Sequence, residues 1–293
     1  MLARADSFRQ HSMRRVRVDP MLNGTLSSLL RAQVKRLRPQ QFSRRTKRGK
    51  VMNVDFSAVK KALDWTMAPS DPMFGGNMDH YSLVGESALR NIVAARLLAG
   101  VDEPTAILDF ACANGRVTRW LKAAYPHAEL HVADINPDWS AWSGKTFGAT
   151  SWLSTPNLAD AKAPRLYDQI WCGSLATHVS PMQTMALLRR FRDWLQPGGV
   201  AIVTMHGRRF VKNAIARTHA YFPDPLSIEP LLRDMAATGF GYAPHPGQDH
   251  GISAATPAWL IRAVMEIGCR VVTFSEHAWD THQDVLAFQN VAI

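Results

Sequence analysis

The chain has 293 residues, of which 46% are hydrophobic, so it can bury a sizeable core in one large domain or two small ones. No apolar run approaches the ~20 residues of a membrane-spanning helix, and we expect a cytoplasmic protein. The net charge is +10, but residues 1–50 hold 14 Lys and Arg against two acids, and the rest hold 20 against 22. Outside the tail there is no excess of basic residues of the kind that a dedicated nucleic-acid binder carries, and nucleic acid is not expected as a partner.

Residues 1–50 are predicted to form a disordered basic tail, because they combine few periodic apolar residues with a large positive charge. Within them, residues 26–37 have the spacing of a short basic amphipathic helix. Two alternatives stay open for the tail: contact with an anionic surface, and a transit peptide. We divide the rest of the chain into a helical cap, 51–100, and a main domain, 101–293.

In the cap, apolar periodicity predicts one helix over residues 58–67 and another over 87–98. A polar and aromatic cluster, Asp79, His80 and Tyr81, lies between them and is a candidate for lining a pocket. Its alternative role is ordinary packing.

Residues 106–136 have the pattern of a strand, a tight turn, a helix and a second strand. The first strand leads to Asp109, a turn of small residues follows over 111–115, and the second strand ends on Asp134. Small residues let a ligand approach the backbone of such a turn, and the helix N-terminus offers free N–H groups. A carboxylate at the end of the second strand can accept hydrogen bonds from two ribose hydroxyls. This unit therefore predicts a site for a nucleotide-like ligand.

The rest of the chain continues the alternation of helices and strands that is typical of an α/β protein. Helices are predicted over 138–147, 181–195, 230–238 and 257–267. Strands are predicted over 150–153, 167–175, 200–205, 270–275 and 284–288. A Gly-, Pro- and His-rich stretch, 240–253, is typical of loops or irregular hairpins near active sites.

The residues of the turn at 111–115 distinguish between two classes of nucleotide-like ligand. A dinucleotide site needs G-x-G-x-x-G, whereas here the first two glycine positions are Ala111 and Ala113, and Arg116 follows Gly115 directly. The residues instead resemble motif I of the class I S-adenosylmethionine-dependent methyltransferases, read as Asp109-x-Ala111-x-Ala113-x-Gly115. The L-x-P-G-G run before the fifth strand, residues 195–199, and the two terminal strands are similar to the same family.

This resemblance implies a seven-stranded, mostly parallel Rossmann-like sheet with an antiparallel terminal strand, preceded by a helical N-terminal cap. It also implies S-adenosylmethionine as the cofactor. The implied cofactor-binding residues are Asp109, Ala111, Ala113, Gly115, Asp134, Ile135, Ser174 and Tyr81. Many members place an acid after the third strand to receive the adenine amino group, but this chain has Ser154-Thr155-Pro156-Asn157 there. Asn157, Asp160 or backbone groups are the alternatives.

Four further motifs look like a bacterial subgroup that is often associated with glycosyltransferase machinery. They are Y-x-x-V-G-x-S-A (81–88), W-C-G-S-L (171–175), H-G-I-S (250–253) and W-D-x-H-Q-D-V (279–285). The subgroup implies a fold and a cofactor but no particular acceptor.

A hydroxyl or amine acceptor benefits from a general base, and in an open parallel sheet the chemistry lies beyond the carboxyl ends of the strands. That position selects His178 after the fourth strand, His206 after the fifth and His250 in the Gly- and Pro-rich stretch. His282 is a weaker candidate. Arg208 and Arg209 are candidates for holding an anionic acceptor such as a carboxylate or phosphate.

Other methyltransferase subclasses fit poorly. No N-P-P-Y-type tetrad follows the fourth strand, and Cys172 lies within that strand and not in a covalent catalytic position. Cys112, Cys172 and Cys269 lack metal-ligand spacing, and no acidic cluster suits a catalytic metal, so no metal is expected. We predict methylation of an oxygen on a small-molecule or glycan acceptor. The alternative is a catalytically inactive binding protein that docks through its basic tail to an anionic surface or partner.

Overall fold

The centre of the molecule is a sheet whose strands, together with a separate hairpin, can be listed in chain order. They are β1 (Ala106–Phe110), β2 (Glu129–Asp134), β3 (Thr150–Leu153), β4 (Tyr167–Cys172), β5 (Leu195–His206), β6 (Phe240–Pro244), β7 (Gly251–Ala255), β8 (Arg270–Trp279) and β9 (Gln283–Gln289). The computed structural model describes residues 54–216, 218, 228–248 and 250–291. The predicted basic tail and its amphipathic segment lie outside these described residues.

The main sheet has seven strands in the order β3-β2-β1-β4-β5-β9-β8. Neighbouring strands from β3 to β5 are parallel, whereas β9 is antiparallel to both β5 and β8. The predicted seven-stranded, mostly parallel sheet with an antiparallel terminal strand is confirmed. β6 and β7 pair with each other as an antiparallel hairpin outside this sheet.

β1 pairs with β2 on one side and with β4 on the other, so the strand order reverses there. Asp109 lies opposite Val132 of β2 and Trp171 of β4, one residue before the end of β1. In open parallel sheets such a reversal opens a crevice at the carboxyl ends of the strands. The fold therefore places a cleft directly beyond Asp109 and Asp134.

The helices of the described residues flank this sheet. They are α1 (Phe56–Lys61), α2 (Met78–Ala99), α3 (Thr118–Ala124), α4 (Pro137–Phe147), α5 (Pro181–Trp194), α6 (Arg208–Ile215), α7 (Glu229–Thr238) and α8 (Pro257–Glu266). Polar side chains cap several N-termini: Asn136 accepts hydrogen bonds from two N–H groups of α4, and Ser180 and Thr256 each accept one. None of these helices is long and apolar enough to span a membrane.

Two predicted elements of the cap were wrong in extent. α1 ends at Lys61, although helix was predicted to 67, and α2 begins at Met78, nine residues before the predicted start. The side chain of Asn77 caps α2 by accepting from the N–H of His80. Gly85 looks like a helix breaker in the sequence, but a Cβ there would lie 2.3 Å from Nε1 of Trp120. The glycine therefore permits close packing of α2 against α3.

Two strand ends also differ from the prediction. β4 stops at Cys172, and residues 175–177 form a 3₁₀ turn instead of continuing the strand. β5 includes the turn at Pro197-Gly198-Gly199, which follows the predicted helix. Leu195, before the turn, pairs with Tyr167, and Val200, after it, pairs with Gln169, so the register shifts between them. The turn is thus a bulge in β5, where Gly198 takes a φ of 84°.

The core has a layer on each face of the sheet and a third part beside it. One layer packs β1 against α5 and α8, and the other packs it against α2 and α3, so neighbouring residues such as Ile107 and Leu108 belong to opposite layers. A smaller cluster joins α6, α7 and the β6–β7 hairpin through Phe210, Leu231 and Ile252. The segment between β5 and α8 thus builds its own apolar core at the carboxyl edge of the sheet.

Candidate functional site

A cavity of about 730 Å³ opens at the carboxyl edge of the sheet, where the strand order reverses. This volume is within the range of ~300–1,000 Å³ that is usual for small-molecule sites. Among the predicted site residues, those that line it are Asp109, Ala111, Ala113, Asp134, Ile135, Ser174, His178 and His250. The cavity therefore joins predicted cofactor ligands to two of the three predicted catalytic histidines.

The turn after β1 keeps a glycine-like shape although two of its glycine positions are alanine. Ala111 has a φ of 61° and Ala113 a φ of 45°, both in the left-handed region. Such a conformation costs a non-glycine residue roughly 1–2 kcal/mol. The surrounding structure holds the turn in place: the N–H of Cys112 donates to the carbonyl of Ala133, and that of Ala113 donates to Oδ2 of Asp134 at 2.9 Å.

Gly115 is the one motif glycine that remains, and its environment differs from that of Ala111 and Ala113. Its φ is 77°, and a Cβ would lie 2.3 Å from Cε2 of Phe147 on α4. Its carbonyl accepts a hydrogen bond from Nε of Arg119 at 3.2 Å. Gly115 does not line the cavity in the described part of the chain, so its glycine is explained by close packing between the turn and α4.

Two buried carboxylates form the floor of the cavity. Asp134 accepts hydrogen bonds from the N–H groups of Ala113 and Asn136, while burial raises its pKa. Asp109 accepts from the hydroxyl of Thr118 at 2.6 Å. Burial, with a contribution from Asp134, raises the pKa of Asp109 to about 7. The turn geometry therefore depends on Asp134, and Asp109 is the carboxylate that titrates near neutral pH.

On the β3 side, the cavity is lined by Ile135, Trp139, Ser154, Thr155, Pro156 and Leu158. Asn157 and Asp160, the sequence-based substitutes for an adenine-binding acid, have exposed side chains that contact each other. The Asn157 amide donates to Asp160 at 2.8 Å, and its oxygen caps the N–H of Ala159. Neither is among the residues that line the cavity, whereas the hydroxyl-bearing Ser154 and Thr155 are.

Tyr81, a predicted cofactor contact, is fully buried and lies behind the cavity wall. Its hydroxyl donates to Asp71 at 2.6 Å, and burial raises its pKa. The guanidinium of Arg116, which does line the cavity, lies 6.0 Å from the Tyr81 ring and 5.5 Å from the Trp279 ring. Tyr81 is therefore not a lining residue of the cavity, and it lies next to Arg116, which is one.

Buried Arg119 connects α3, the helix on which it lies, to the cap. Its guanidinium donates to the carbonyls of Asp64 and Thr66 at 2.8 and 3.3 Å. The segment between these carbonyls and α2 supplies Met73 to the cavity wall. Hydrogen bonds from a charged donor are worth about 1.5–3 kcal/mol each, so Arg119 is a strong connection between the cap and the cavity.

Ser174, after β4, has a φ of 64° and belongs to a polar network behind the cavity. Its N–H donates to Oγ1 of Thr204 at 2.8 Å, and its hydroxyl accepts from the Gln283 amide at 2.8 Å. Thr204 in turn donates to Gln283 at 2.6 Å. The network fixes the backbone between β4 and the 3₁₀ turn that leads to His178.

His178 lines the cavity in a defined tautomer. Its Nδ1 lies 3.0 Å from the carbonyl oxygen of Gly251, which can only accept, so Nδ1 carries the proton when the ring is neutral. Burial lowers the pKa of His178, and its neighbours His250 and His245 lower it further. The ring is therefore neutral at pH 7, and Nε2 keeps the lone pair that a base needs.

The other two predicted catalytic histidines differ in position. His250 lines the cavity, is exposed, and has its ring centroid 6.4 Å from that of His178. His206 is buried, stacks on Phe210 at 3.7 Å, and shares a hydrogen bond of 3.0 Å between its Nδ1 and the Ser253 carbonyl. His206 is not among the lining residues, and its contacts join β5 to α6 and β7.

Comparisons with known proteins agree with this geometry. Residues 108–201 match the model of a family described as a methyltransferase domain. The chain is 29% identical over 137 residues to a malonyl-[acyl-carrier protein] O-methyltransferase of Anoxybacillus flavithermus, covering 44% of this chain and 52% of that protein. It is 26% identical over 183 residues to a trans-aconitate 2-methyltransferase of Mycobacterium tuberculosis, covering 62% of this chain and 61% of that protein.

Among solved structures, an S-adenosylmethionine-dependent methyltransferase from Clostridium acetobutylicum superposes with a TM-score of 0.50 at 10% identity. The match covers 71% of this chain and 92% of that one. Residues 108–201 thus match a methyltransferase domain, and the chain around them has a fold that this S-adenosylmethionine-dependent methyltransferase shares. The chain spans 52% and 61% of the length of these two curated relatives.

The cavity is also lined by residues that the sequence analysis did not select. They are Met73, Arg116, Trp139, Trp171 and Trp279. Trp139 was within reach of prediction, since it lies in the first turn of the helix that follows Asp134. Trp279 was not, because its position results from pairing with Gln283 across the terminal hairpin. The Trp171 and Trp279 rings meet edge to face at 5.5 Å and form an aromatic wall.

The remaining predictions concern cations, cysteines and metals. Arg208 and Arg209 line a separate groove on α6 and not the methyltransferase cavity. Cys112 and Cys172 are buried thiols whose pKa values burial raises, which argues against a nucleophilic role. Within the described ranges, no group of three or more His, Cys, Asp or Glu residues is arranged to hold a metal ion.

Proposed function

We propose that the protein transfers a methyl group from S-adenosylmethionine to an oxygen of a small-molecule or glycan acceptor. The observation that carries the proposal is that one cavity joins Asp134 and the left-handed turn to His178, whose Nε2 bears a lone pair. The residues proposed to hold the cofactor and a candidate base thus line the same cavity.

The cofactor would be held by Asp134 at its ribose and by the backbone of the Ala111–Ala113 turn. Two observations support the fit: the turn adopts left-handed backbone despite its alanines, and the Asp134 carboxylate is anchored at the cavity floor. Ser154 and Thr155 are the polar groups available where many relatives have an acid for adenine. S-adenosylmethionine, when bound, supplies an activated methyl group on a sulfonium, so the protein mainly contributes proximity, orientation and proton removal.

His178 is the proposed general base. The Gly251 carbonyl fixes its ring and tautomer, and its lowered pKa keeps Nε2 able to accept a proton at neutral pH. For a hydroxyl acceptor, the proton on its oxygen would pass to Nε2 as the bond from that oxygen to the methyl carbon forms. The bond from the methyl carbon to the sulfonium sulfur would break at the same time and release S-adenosylhomocysteine. His250 is the second candidate because it lines the same cavity.

Support for an oxygen acceptor comes from a relative's printed name, malonyl-[acyl-carrier protein] O-methyltransferase. Trans-aconitate, named for the other relative, adds a small carboxylic acid to the compounds worth testing. Association with glycosyltransferase machinery stays a prediction, as does a glycan acceptor. The inactive alternative has no support from the family match, and the turn whose lost glycines suggested it keeps a glycine-like conformation.

The first test is calorimetric titration of the full-length protein with S-adenosylmethionine and with S-adenosylhomocysteine. The proposal expects saturable binding of both compounds. If neither compound gives a saturable isotherm, the cofactor assignment is wrong and the inactive binding protein becomes the better description.

The second test measures release of S-adenosylhomocysteine with a panel of acceptors. The panel contains small carboxylic acids such as trans-aconitate, acyl-thioester carboxylates, sugars with free hydroxyls, and matched amines. Turnover with an oxygen acceptor and none with the matched amine would support the proposal. Turnover confined to amines would overturn the assignment to oxygen while retaining the cofactor.

A further inference from the structure

A second concave site lies outside the methyltransferase cavity, between α6 and β8. It is a groove of about 350 Å³ lined by Arg208, Arg209, Lys212, Asn213, Glu276 and His277. Within the described residues, no side chain lines both this groove and the cavity. Its volume suits one small ligand group rather than the face of a macromolecule.

The groove concentrates positive charge in a part of the protein that is otherwise balanced. Residues 51–293 hold 20 Lys and Arg against 22 Asp and Glu, whereas the groove is lined by three of these bases and one acid. Arg209 and Lys212 are three positions apart, which places them on neighbouring turns of one helix face. A local excess of this kind favours an anionic ligand.

Arg208 and Glu276 make the groove wall rigid. The Arg208 guanidinium donates two hydrogen bonds to the two Glu276 oxygens, at 2.8 and 2.6 Å, and this contact raises the pKa of Arg208 and lowers that of Glu276. Arg208 is thus occupied in joining α6 to β8. Arg209 and Lys212 have exposed side chains with no ion-pair partner among the described residues, and they supply the charge.

A buried carboxylate beside the start of α6 explains why side chains, and not the helix N-terminus, would bind the ligand. Asp284 is fully buried, and a Cβ on Gly207 would lie 1.9 Å from its Oδ2, so the carboxylate is packed against the first turn of α6. A carboxylate there already complements the positive end of the helix dipole. The Asp284 Oδ1 accepts from the N–H of His277 at 3.1 Å and faces the His277 ring at 3.8 Å, which positions that ring beside the groove.

We propose that this groove binds the phosphate group of a small phosphorylated ligand through Arg209 and Lys212, with His277 at its edge. Phosphate offers several oxygens to two converging cations, and an arginine fork matches its geometry. The site is independent of methyl transfer, because it shares no lining residue with the cavity in the described part of the chain.

The test follows the His277 ring by NMR while the full-length protein is titrated with inorganic pyrophosphate in 150 mM salt. Residues 1–50 carry 14 Lys and Arg, which would attract polyanions equally in every variant, so the test needs a signal from the groove itself. The His277 resonance is identified by its loss in His277→Asn, since asparagine tolerates the left-handed backbone at this position, where φ is 58°. We expect a saturable shift of this resonance in the wild-type protein.

The decisive variant is Arg209→Gln with Lys212→Gln, and its matched control removes two exposed lysines elsewhere, Lys61→Gln with Lys162→Gln. The first pair should weaken the pyrophosphate-induced shift at least tenfold, and the control should change it less than twofold. Equal weakening in both pairs would show a general charge effect and overturn the proposal. Tighter saturation by citrate than by pyrophosphate would overturn the assignment to phosphate.

Discussion

The two halves of the cavity are built in different ways. The part proposed to bind the cofactor, called the cofactor half, is assembled within one strand–turn–helix–strand unit, where the N–H of Ala113 donates to Asp134 across 21 positions of sequence. The part proposed to bind the acceptor, called the acceptor half, depends on distant segments. His178 lines it and is hydrogen-bonded to Gly251 across 73 positions, and His206, which is not a lining residue, is hydrogen-bonded to Ser253 across 47. Local sequence therefore determines the first half, whereas the second requires the segment between β5 and α8 to be in place.

This difference has a chemical consequence. The cofactor half contains buried carboxylates and a turn in left-handed backbone. On the side of the acceptor half, carbonyls of β7 orient the imidazoles of His178 and His206, so we expect changes in that hairpin to affect the proposed base rather than cofactor binding. Substitutions in the two halves should thus separate cofactor affinity from turnover.

The largest expected effect lies in the acceptor half. His178→Ala should lower the rate of methyl transfer ~10²–10⁴-fold, the usual contribution of a general base, while leaving S-adenosylmethionine affinity nearly unchanged. The measurements are kcat with an accepted substrate and a calorimetric Kd for the cofactor. His127→Ala, at an exposed site before β2, is the control and should change neither value.

Three outcomes would revise that assignment. A loss of cofactor affinity in His178→Ala would make the histidine part of the cofactor wall. A rate loss found only in His250→Ala would move the role of base to His250. A loss found only in His206→Ala would implicate the contacts that join β5 to α6 and β7.

The next effect belongs to the cofactor half. Asp134→Asn should weaken S-adenosylmethionine binding by ~1.5–3 kcal/mol, or about 10- to 150-fold, because hydrogen bonds to a charged acceptor are lost. Calorimetry checks the change, and Asp138→Asn, an exposed neighbour on α4, should bind like the wild type. Unchanged affinity in a folded Asp134→Asn protein would remove this residue from the cofactor site.

A pH dependence should distinguish Asp109 from the exposed acids. Its pKa is raised to about 7, so between pH ~4 and ~7 the folded protein holds a proton that the unfolded chain has released. Stability should therefore fall as the pH rises through this window. Asp109→Asn should make the free energy of unfolding decrease less steeply with pH. The change in slope corresponds to at most one proton, which is ~1.4 kcal/mol per pH unit. Denaturant unfolding at several pH values measures it, and an unchanged slope would contradict the assignment.

The contrast between the halves also explains what the sequence predicts well. The apolar runs and the spacing from the small-residue turn to Asp134 predict β1, α3 and β2, because each depends on neighbours in the chain. The same reasoning brings Asp109, Ala111 and Ala113 to the cavity wall. Short-range pattern is enough wherever one βαβ unit contains all the partners.

Residues placed by long-range pairing could not be predicted in this way. The register of β8 on β9 places Trp279 at the cavity. The hydrogen bond from Arg119 to the Asp64 carbonyl fixes the cap segment that brings Met73 there. Tyr81 has the composition of a pocket residue, yet burial against Asp71 and Arg116 places it behind the wall. Gly115 fits the motif in sequence but serves packing against Phe147. Which face of a residue meets the ligand depends on the tertiary packing.

A smaller effect tests the strain in the turn. Ala113→Gly should raise the free energy of unfolding by ~0.5–1 kcal/mol, because relief of the left-handed alanine exceeds the entropy cost of glycine. Ala123→Gly, within α3, is the matched control and should lower it by about 1 kcal/mol. Equal destabilisation by both glycines, measured in denaturant, would show that the turn is not strained at Ala113.

The smallest expected effect concerns the tail. We predict that a protein starting at Met52 folds and binds S-adenosylmethionine with the affinity of the full-length chain. One reason is that the net positive charge comes from residues 1–50, which have too little apolar sequence to join a core. The other is that the cavity is lined by residues from Met73 onward. Calorimetry and thermal unfolding of both proteins provide the comparison. If the shorter protein is insoluble, or binds the cofactor more than about tenfold more weakly, then the tail contributes to the fold and the boundary at residue 51 is wrong.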